Sequence, residues 1–355
     1  MAKGIRHILL AISGVRHAPK SELRKAAALA RAARADIELF HVMDEPDPGR
    51  SFPETATAAA VGKLRADIAG KYRQRLERFA RDESLSGVRV TCTASWDYPP
   101  HEAIIRRALA TRTDLVIAAT RHHIPGGRLL LRNTDWELIR HCPVPLLLMK
   151  SRRPYRKAVV LAAVDPFHRH ARPADLDKRL LDTGGLFARL LHGTLHIFHA
   201  YMPLITVQPP AMTAVAPVLV PQEIEDAHGK QIGRAIRQLA DTVGISRTRT
   251  HVYMGDVAGE LGAATTRTGA NIVVLGAVSR SALARVFIGN TAERVLERLK
   301  CDLLVVKPRG FKSKVAGPRA VVRRKRQMPA TAVRTRRGEP QSTVAVLSAV
   351  LPPLL

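Results

Sequence analysis

Asp114-Leu-Val-Ile-Ala-Ala-Thr-Arg121, followed by Leu131-Arg-Asn-Thr134 and Leu146-Leu-Leu-Met-Lys150, recurs later in the chain as Asn271-Ile-Val-Val-Leu-Gly-Ala-Val278, Ile288-Gly-Asn-Thr291 and Leu303-Leu-Val-Val-Lys307. Asp114 and Asn271, Asn133 and Asn290, and Lys150 and Lys307 are each 157 residues apart, so the block repeats without a gap. That period far exceeds the roughly 20–50 residues of solenoid repeats and matches a whole domain. The 355 residues therefore divide into two copies of one unit. The expected boundaries are 1–150 and 157–308, joined by the polar linker Ser151-Arg-Arg-Pro-Tyr-Arg156, with a tail over 309–355.

Each copy alternates buried-type strands with amphipathic helices, the pattern of a parallel sheet covered on both faces. The first copy reads as strands at 8–12, 37–42, 88–92, 115–119 and 146–149, with helices near 21–35, 57–82, 100–110 and 135–140. In the second, strands fall near 158–164, 195–201, 249–254, 271–276 and 302–306, with helices near 173–191, 222–242, 259–268 and 291–299. The Pro/Ala/Val-rich stretch Pro203–Pro217 reads as a long loop. The fold class is α/β, with two tandem doubly wound parallel-sheet domains.

Hydrophobic residues make up 46% of the chain and aromatic residues only 4%, so aliphatic packing carries the core. No run of about 18 uncharged apolar residues occurs, and the N-terminus leads directly into a strand, which excludes a membrane span and gives a cytoplasmic expectation. Cys92, Cys142 and Cys301 lack metal-knuckle spacing and read as free buried thiols. The formal net charge is +27, and from 311 onward ten basic residues face the single acid Glu339. This tail reads as disordered and as a nonspecific contact for an anionic polymer; with Phe311 as its one aromatic residue it offers no stacking platform and no specific nucleic-acid recognition.

The loop after the fourth strand of the second copy carries the chemistry. In doubly wound sheets ligands bind outside the carboxyl ends of the strands, where strand order reverses. There the chain reads Gly276-x2-Ser279-x9-Gly289-Asn290-Thr291 and runs on into a helical stretch whose unpaired amides and dipole favour phosphate. The segment resembles the universal stress protein family, whose nucleotide-binding members carry Gly-x2-Gly-x9-Gly followed by Ser, Thr or Asn. Here Ser279 replaces the middle glycine. Val164-Asp165, His199-Ala200 and Gly255-Asp256-Val-Ala-Gly-Glu260 fit the family as well. The resemblance spans roughly 5–308 and is closest to the tandem E-type members, through Trp96, Pro100-His-Glu-Ala-Ile104, Asn133-Thr-Asp-Trp136 and Cys142-Pro143.

The resemblance implies an adenine nucleotide alpha hydrolase-like fold in each domain. It implies that Asp165 and the main chain at Ala200 hold ribose and adenine, while Gly276, Ser279, Arg280, Gly289, Asn290 and Thr291 cradle phosphates. The ligand would be ATP, ADP or AMP, with or without Mg²⁺. It also implies pairing of the closing strands, 146–149 with 303–306, as an internal pseudo-dimer; a homodimer of chains stays open. In the first copy Ala119, His122 and Arg132 stand where the second has Gly276, Ser279 and Gly289, and Ser13 replaces the aspartate, so nucleotide binding is expected to be lost there.

A Walker loop is absent, since neither Gly62-Lys63 nor Gly229-Lys230 is followed by a hydroxyl residue. His101-Glu102 has no histidine at zincin spacing, and Asp165-x-x-His168-x-His170 reads as a solvated loop rather than a metal site. With no paired nucleophile and base, a dedicated enzyme is not expected. The expectation is a stress-response nucleotide-binding regulator, with slow Mg-dependent ATP hydrolysis, or a non-nucleotide scaffold, as alternatives.

Overall fold

The computed structural model describes residues 4–43, 57–120, 122–123, 129–130, 133–167, 175–204, 220–277 and 299–315. Its first domain contains β1 (His7–Ala11), α1 (Lys20–Ala33), β2 (Asp36–Met43), α2 (Ala58–Ala80), β3 (Val90–Trp96), α3 (Pro100–Ala110) and β4 (Leu115–Ala119). A short antiparallel pair follows, β5 (His122–His123) with β6 (Leu129–Leu130), then α4 (Asn133–His141) and β7 (Leu146–Met149). The second domain has β8 (Val159–Ala163), α5 (Leu176–Leu190), β9 (Thr194–Tyr201), α6 (Gln222–Asp241), β10 (Thr250–Met254), α7 (Val257–Thr268), β11 (Ile272–Gly276) and β12 (Asp302–Val306).

Ten strands form one sheet in the order β10-β9-β8-β11-β12-β7-β4-β1-β2-β3. Within each domain the pairs are parallel, and strand order reverses between β1 and β4 and again between β8 and β11. The closing strands β7 and β12 pair antiparallel, Leu148 with Leu303, Leu147 with Leu304 and Leu146 with Val305, so the two domains meet as the expected pseudo-dimer. All four Leu146–Met149 side chains and all five of Asp302–Val306 are buried.

Burial on both faces explains why the central strands are apolar throughout: Ile8, Leu9 and Leu10 in β1 are fully buried, as are Ile272, Val273 and Val274 in β11. One face packs under α1, α2, α5 and α6, the other under α3, α4 and α7. β3 starts two residues later than the sequence suggests and runs on through Trp96. Gly87 at φ +74 and the Val88 amide bonded to the Leu85 carbonyl form a turn that delays the strand. Cys92, Cys142 and Cys301 are free thiols. The helices expected near 291–299 and the start of the one near 173 lie outside the described residues, as does the tail beyond 315.

The domain seam carries a buried polar cluster. Lys25 of α1 is 2% exposed and Asp302 at the start of β12 is fully buried; their Nζ and Oδ2 lie 2.5 Å apart. Asp302 Oδ1 accepts from the Lys150 and Ser151 amides at 2.9 Å, and its Oδ2 accepts from the Tyr155 hydroxyl at 2.6 Å. Lys25 also donates to the Ser151 carbonyl and lies 4.8 Å from the Tyr155 ring centroid. The carboxylate is thus paired and hydrogen-bonded on both oxygens, the condition under which a buried charge is tolerated. Burial and the adjacent Asp302 carboxylate push the Tyr155 hydroxyl well above its usual pKa.

Candidate functional site

The second domain's reversal point lies at the carboxyl ends of β8 and β11, and the first residues of α5 close over it. Leaving β8, Val164 still donates its amide to the Phe198 carbonyl, while its own carbonyl accepts from His199 Nδ1 at 2.9 Å. A carbonyl can only accept, so Nδ1 carries the hydrogen. The next amide, that of Asp165, donates to both carboxylate oxygens of Asp177 at 3.1 Å. Asp177 stands in the first turn of α5, where a carboxylate also complements the helix dipole. Two buried polar side chains therefore fix the main chain around Asp165 from β9 and from α5.

Asp165 itself is 8% exposed, and among the described residues its carboxylate has no hydrogen-bond or ion-pair partner. Its oxygens are not among the enclosed unpaired atoms, so they keep contact with solvent and a ligand's donors can reach them. Gly276 ends β11. A methyl group added there would lie 2.7 Å from Leu176 Cδ2, so the missing side chain makes room for α5. Leu176 on Gly276 and Asp177 on Asp165 are consecutive residues, and together they seat the helix start directly over the reversal point. Continuing the β8–β9 register beyond Ala163 opposite Phe198 brings Asp165 beside Ala200, which is half-buried and paired with Tyr253. Asp165, Ala200 and Gly276 thus stand at or just beyond the carboxyl ends of the neighbouring strands β8, β9 and β11. Ser279, Arg280, Gly289, Asn290 and Thr291 lie outside the described residues.

Asp256 caps α7, its carboxylate accepting from the Gly259 amide at 3.0 Å, and the preceding Gly255 sits at φ +150 with its amide on the Tyr201 carbonyl. This part of the family-like stretch therefore has a structural task in turning β10 into α7. Met202, Met254 and Ile224, each about half exposed, stand at the carboxyl ends of β9 and β10 and the start of α6.

Sequence reasoning missed Asp177 and the clamp made by His199. One signal was present: Phe40-His41 and Phe198-His199 occupy matching places in the second strand of each domain. The first domain repeats the clamp, with the Ile12 amide on the Phe40 carbonyl and His41 Nδ1 2.7 Å from the Ile12 carbonyl. Beyond it the similarity ends. Ser13 is exposed where Asp165 is buried, and the pocket between β1 and β4 is lined by Leu10, Ala11, Ile12, Ser13, Pro19, Glu22 and Ala119. Its cavity volume is about 10 Å³, room for about one water molecule and far too little for a nucleotide.

Residues 4–150 and 159–307 each match the model of the universal stress protein family, and together they take in both sheets and the crevice. The chain belongs to the universal stress protein family. Universal stress protein E of Escherichia coli K12 is 31% identical over 269 residues, covering 74% of this chain and 81% of that protein. The universal stress protein E homolog of Haemophilus influenzae is 24% identical over 290 residues, 79% of this chain and 93% of the relative. Among solved structures, a functionally unknown protein of Pseudomonas aeruginosa aligns with TM-score 0.61 and 25% identity, over 86% of this chain and 93% of that one. A universal stress protein of Archaeoglobus fulgidus aligns with TM-score 0.55 at 15% identity, over 85% of this chain and 98% of that one, and so shows the shared fold. Among the described residues no helix is long and apolar enough to cross a membrane, and no group of three or more His, Cys, Asp or Glu side chains could hold a metal ion.

Proposed function

We propose that the second domain binds an adenine nucleotide, ATP, ADP or AMP, at the crevice between β8 and β11, and that the protein acts as a nucleotide-responsive regulator rather than as a dedicated enzyme. The observation that carries this reading is the buried Asp165 carboxylate, held at a reversal point with no partner among the described residues. Ribose hydroxyls are the donors that would bond it, and the main chain at Ala200 would meet the base. Ser279, Arg280, Gly289, Asn290 and Thr291 would receive the phosphates, as backbone amides and a cationic side chain suit an anion. Mg²⁺, if bound, would be held chiefly by the nucleotide's own oxygens, since no metal cluster occurs among the described residues.

The first domain's small crevice, with the Glu22 carboxylate in its wall, disfavours a polyphosphate, so we assign one nucleotide per chain. Calorimetry with ATP, ADP and AMP, with and without Mg²⁺, tests the reading. The expected result is saturable heat at a stoichiometry of about one, weakened roughly tenfold or more by Asp165→Ala, the loss of one or two charge-assisted hydrogen bonds. Absence of heat from all three nucleotides at millimolar concentration would overturn it.

A further inference from the structure

The linker between the domains is held in place from both of its ends. Ser151 and Tyr155 are tied to Asp302, and Ser151 also to Lys25, while Ala158 is fully buried where β8 begins. Between these anchors Arg152, Arg153, Arg156 and Lys157 are all exposed, and none makes an ion pair among the described residues. Lys157 stands at φ +47, part of the tight entry to β8.

The neighbouring loops at the amino ends of the second domain's strands add charge of the same sign. The Thr194 amide bonds to the Ala158 carbonyl, placing the α5–β9 turn, with Arg189 exposed just before it, against the linker's end. Exposed Arg247 opens the turn into β10, which pairs with β9. The acid bonded to the linker, Asp302, is buried inside the seam, and at the end of α6 beside these loops Asp241 is exposed. The corresponding end of the first domain is balanced differently: Asp36 lies 3.5 Å from Arg89, and Asp114 accepts from the Arg6 and His7 amides.

Complementing a helix C-terminus accounts for Arg189, in the last turn of α5, but not for the four linker cations, which flank no helix end. Strands about 4.8 Å apart spread these groups over a front of roughly 10–20 Å, the scale of several successive phosphates on a nucleic-acid backbone. The exposed large apolar side chains, Tyr98, Leu109, Met202, Ile224 and Met254, lie outside the linker and these loops, so nothing here would enter a lipid surface or stack on single-stranded bases.

We propose that this edge, centred on Arg152, Arg153, Arg156 and Lys157 and extended by Arg189 and Arg247, docks the phosphate backbone of duplex nucleic acid without sequence readout. The buried anchoring of Ser151 and Tyr155 means the loop is ordered before it binds, which lowers the cost of association. The surface uses none of the residues of the basic tail and lies at the ends of the strands opposite the proposed nucleotide site.

The test uses the full chain and a fluorescent random-sequence DNA duplex, with binding followed by anisotropy across a salt series. In the variant Arg153→Gln, Arg156→Gln, Lys157→Gln, Arg247→Gln, the slope of log affinity against log salt should shrink by about 3 to 4, near 0.9 for each lost phosphate contact. A control removing equal charge from α2 (Lys63→Gln, Lys71→Gln, Arg75→Gln, Arg78→Gln) should leave the slope within about 1 of the parent; circular dichroism verifies that both variants fold. Equal losses in the two variants, or an unchanged slope in the first, would overturn the proposal in favour of general charge or the tail. Binding to vesicles of anionic phospholipid in preference to the duplex would overturn it as well.

Discussion

Replacing Lys25 by Met keeps the length of the side chain and deletes its charge from the seam. Asp302 then keeps three hydrogen bonds, from the Lys150 and Ser151 amides and the Tyr155 hydroxyl, but loses the cation 2.5 Å away. The Ser151 carbonyl also loses a charged donor. Leaving one member of a buried pair uncompensated costs about 3–5 kcal/mol, and the three surviving hydrogen bonds place this case near the lower end, about 3 kcal/mol. For a body of this size that corresponds to a fall in Tm of roughly 4–5 °C. Asp302→Asn alone should cost a similar amount, because it strands Lys25. The double variant should cost less than the sum of the two by about 2 kcal/mol, since neither charge is then left alone. Urea unfolding of the parent, both single variants and the double variant measures the cycle. Lys25→Met within 1 kcal/mol of the parent, or a double variant that loses the full sum, would refute the account of the seam.

Two further outcomes follow from the buried groups. Burial lowers the Lys307 pKa to about 8, with its Nζ donating to the Arg140 carbonyl at 2.9 Å and lying 4.5 Å from the Phe311 ring centroid. In the unfolded chain this amine titrates near its ordinary value of about 10.4, so between those limits the unfolded state holds more protons and stability rises with pH. From pH 8 to pH 9 the parent should gain about 1 kcal/mol relative to Lys307→Met; the raised thiol pKa values of Cys92, Cys142 and Cys301 act oppositely above pH 9 but cancel in that difference. A flat difference between the two proteins in urea titrations would count against it. Gly193 precedes β9 so closely against the linker's end that an added methyl group would sit 1.8 Å from the Ala158 carbonyl oxygen. Gly193→Ala should therefore destabilise by more than about 3 kcal/mol, visible as insoluble expression or a large drop in Tm, and a parent-like melting curve would contradict the packing.

The repeat made the architecture legible, because Leu146–Met149 and Leu303–Val306 announce themselves as buried strands in matching places. The pairing of those two strands followed from the family resemblance. Less could be read where partners lie far apart in the chain. Nothing local marks Asp177 as the acceptor for the Asp165 amide, because it looks like an ordinary first-turn carboxylate. Lys25 and Asp302 are 277 residues apart, and Lys25 reads as one more basic residue on an Ala-rich helix. The resemblance gave Gly276 to a phosphate, whereas the space left by its missing side chain holds a leucine methyl group of α5. Asp165, Ala200 and Gly276 were grouped through the family resemblance, and all three stand at or just beyond strand ends that a doubly wound sheet brings together.

The pairing of β7 with β12 has a consequence for how the protein responds to dilution. Two separate chains that pair through their closing strands come apart when their concentration falls below the dissociation constant. Here the partner strand is tethered by the short segment from Ser151 to Lys157, so its local concentration is set by the covalent link, at about the millimolar level or above. The ten-stranded sheet should therefore stay joined however few copies a cell contains, and any signal that alters this seam must act on its chemistry rather than on protein abundance.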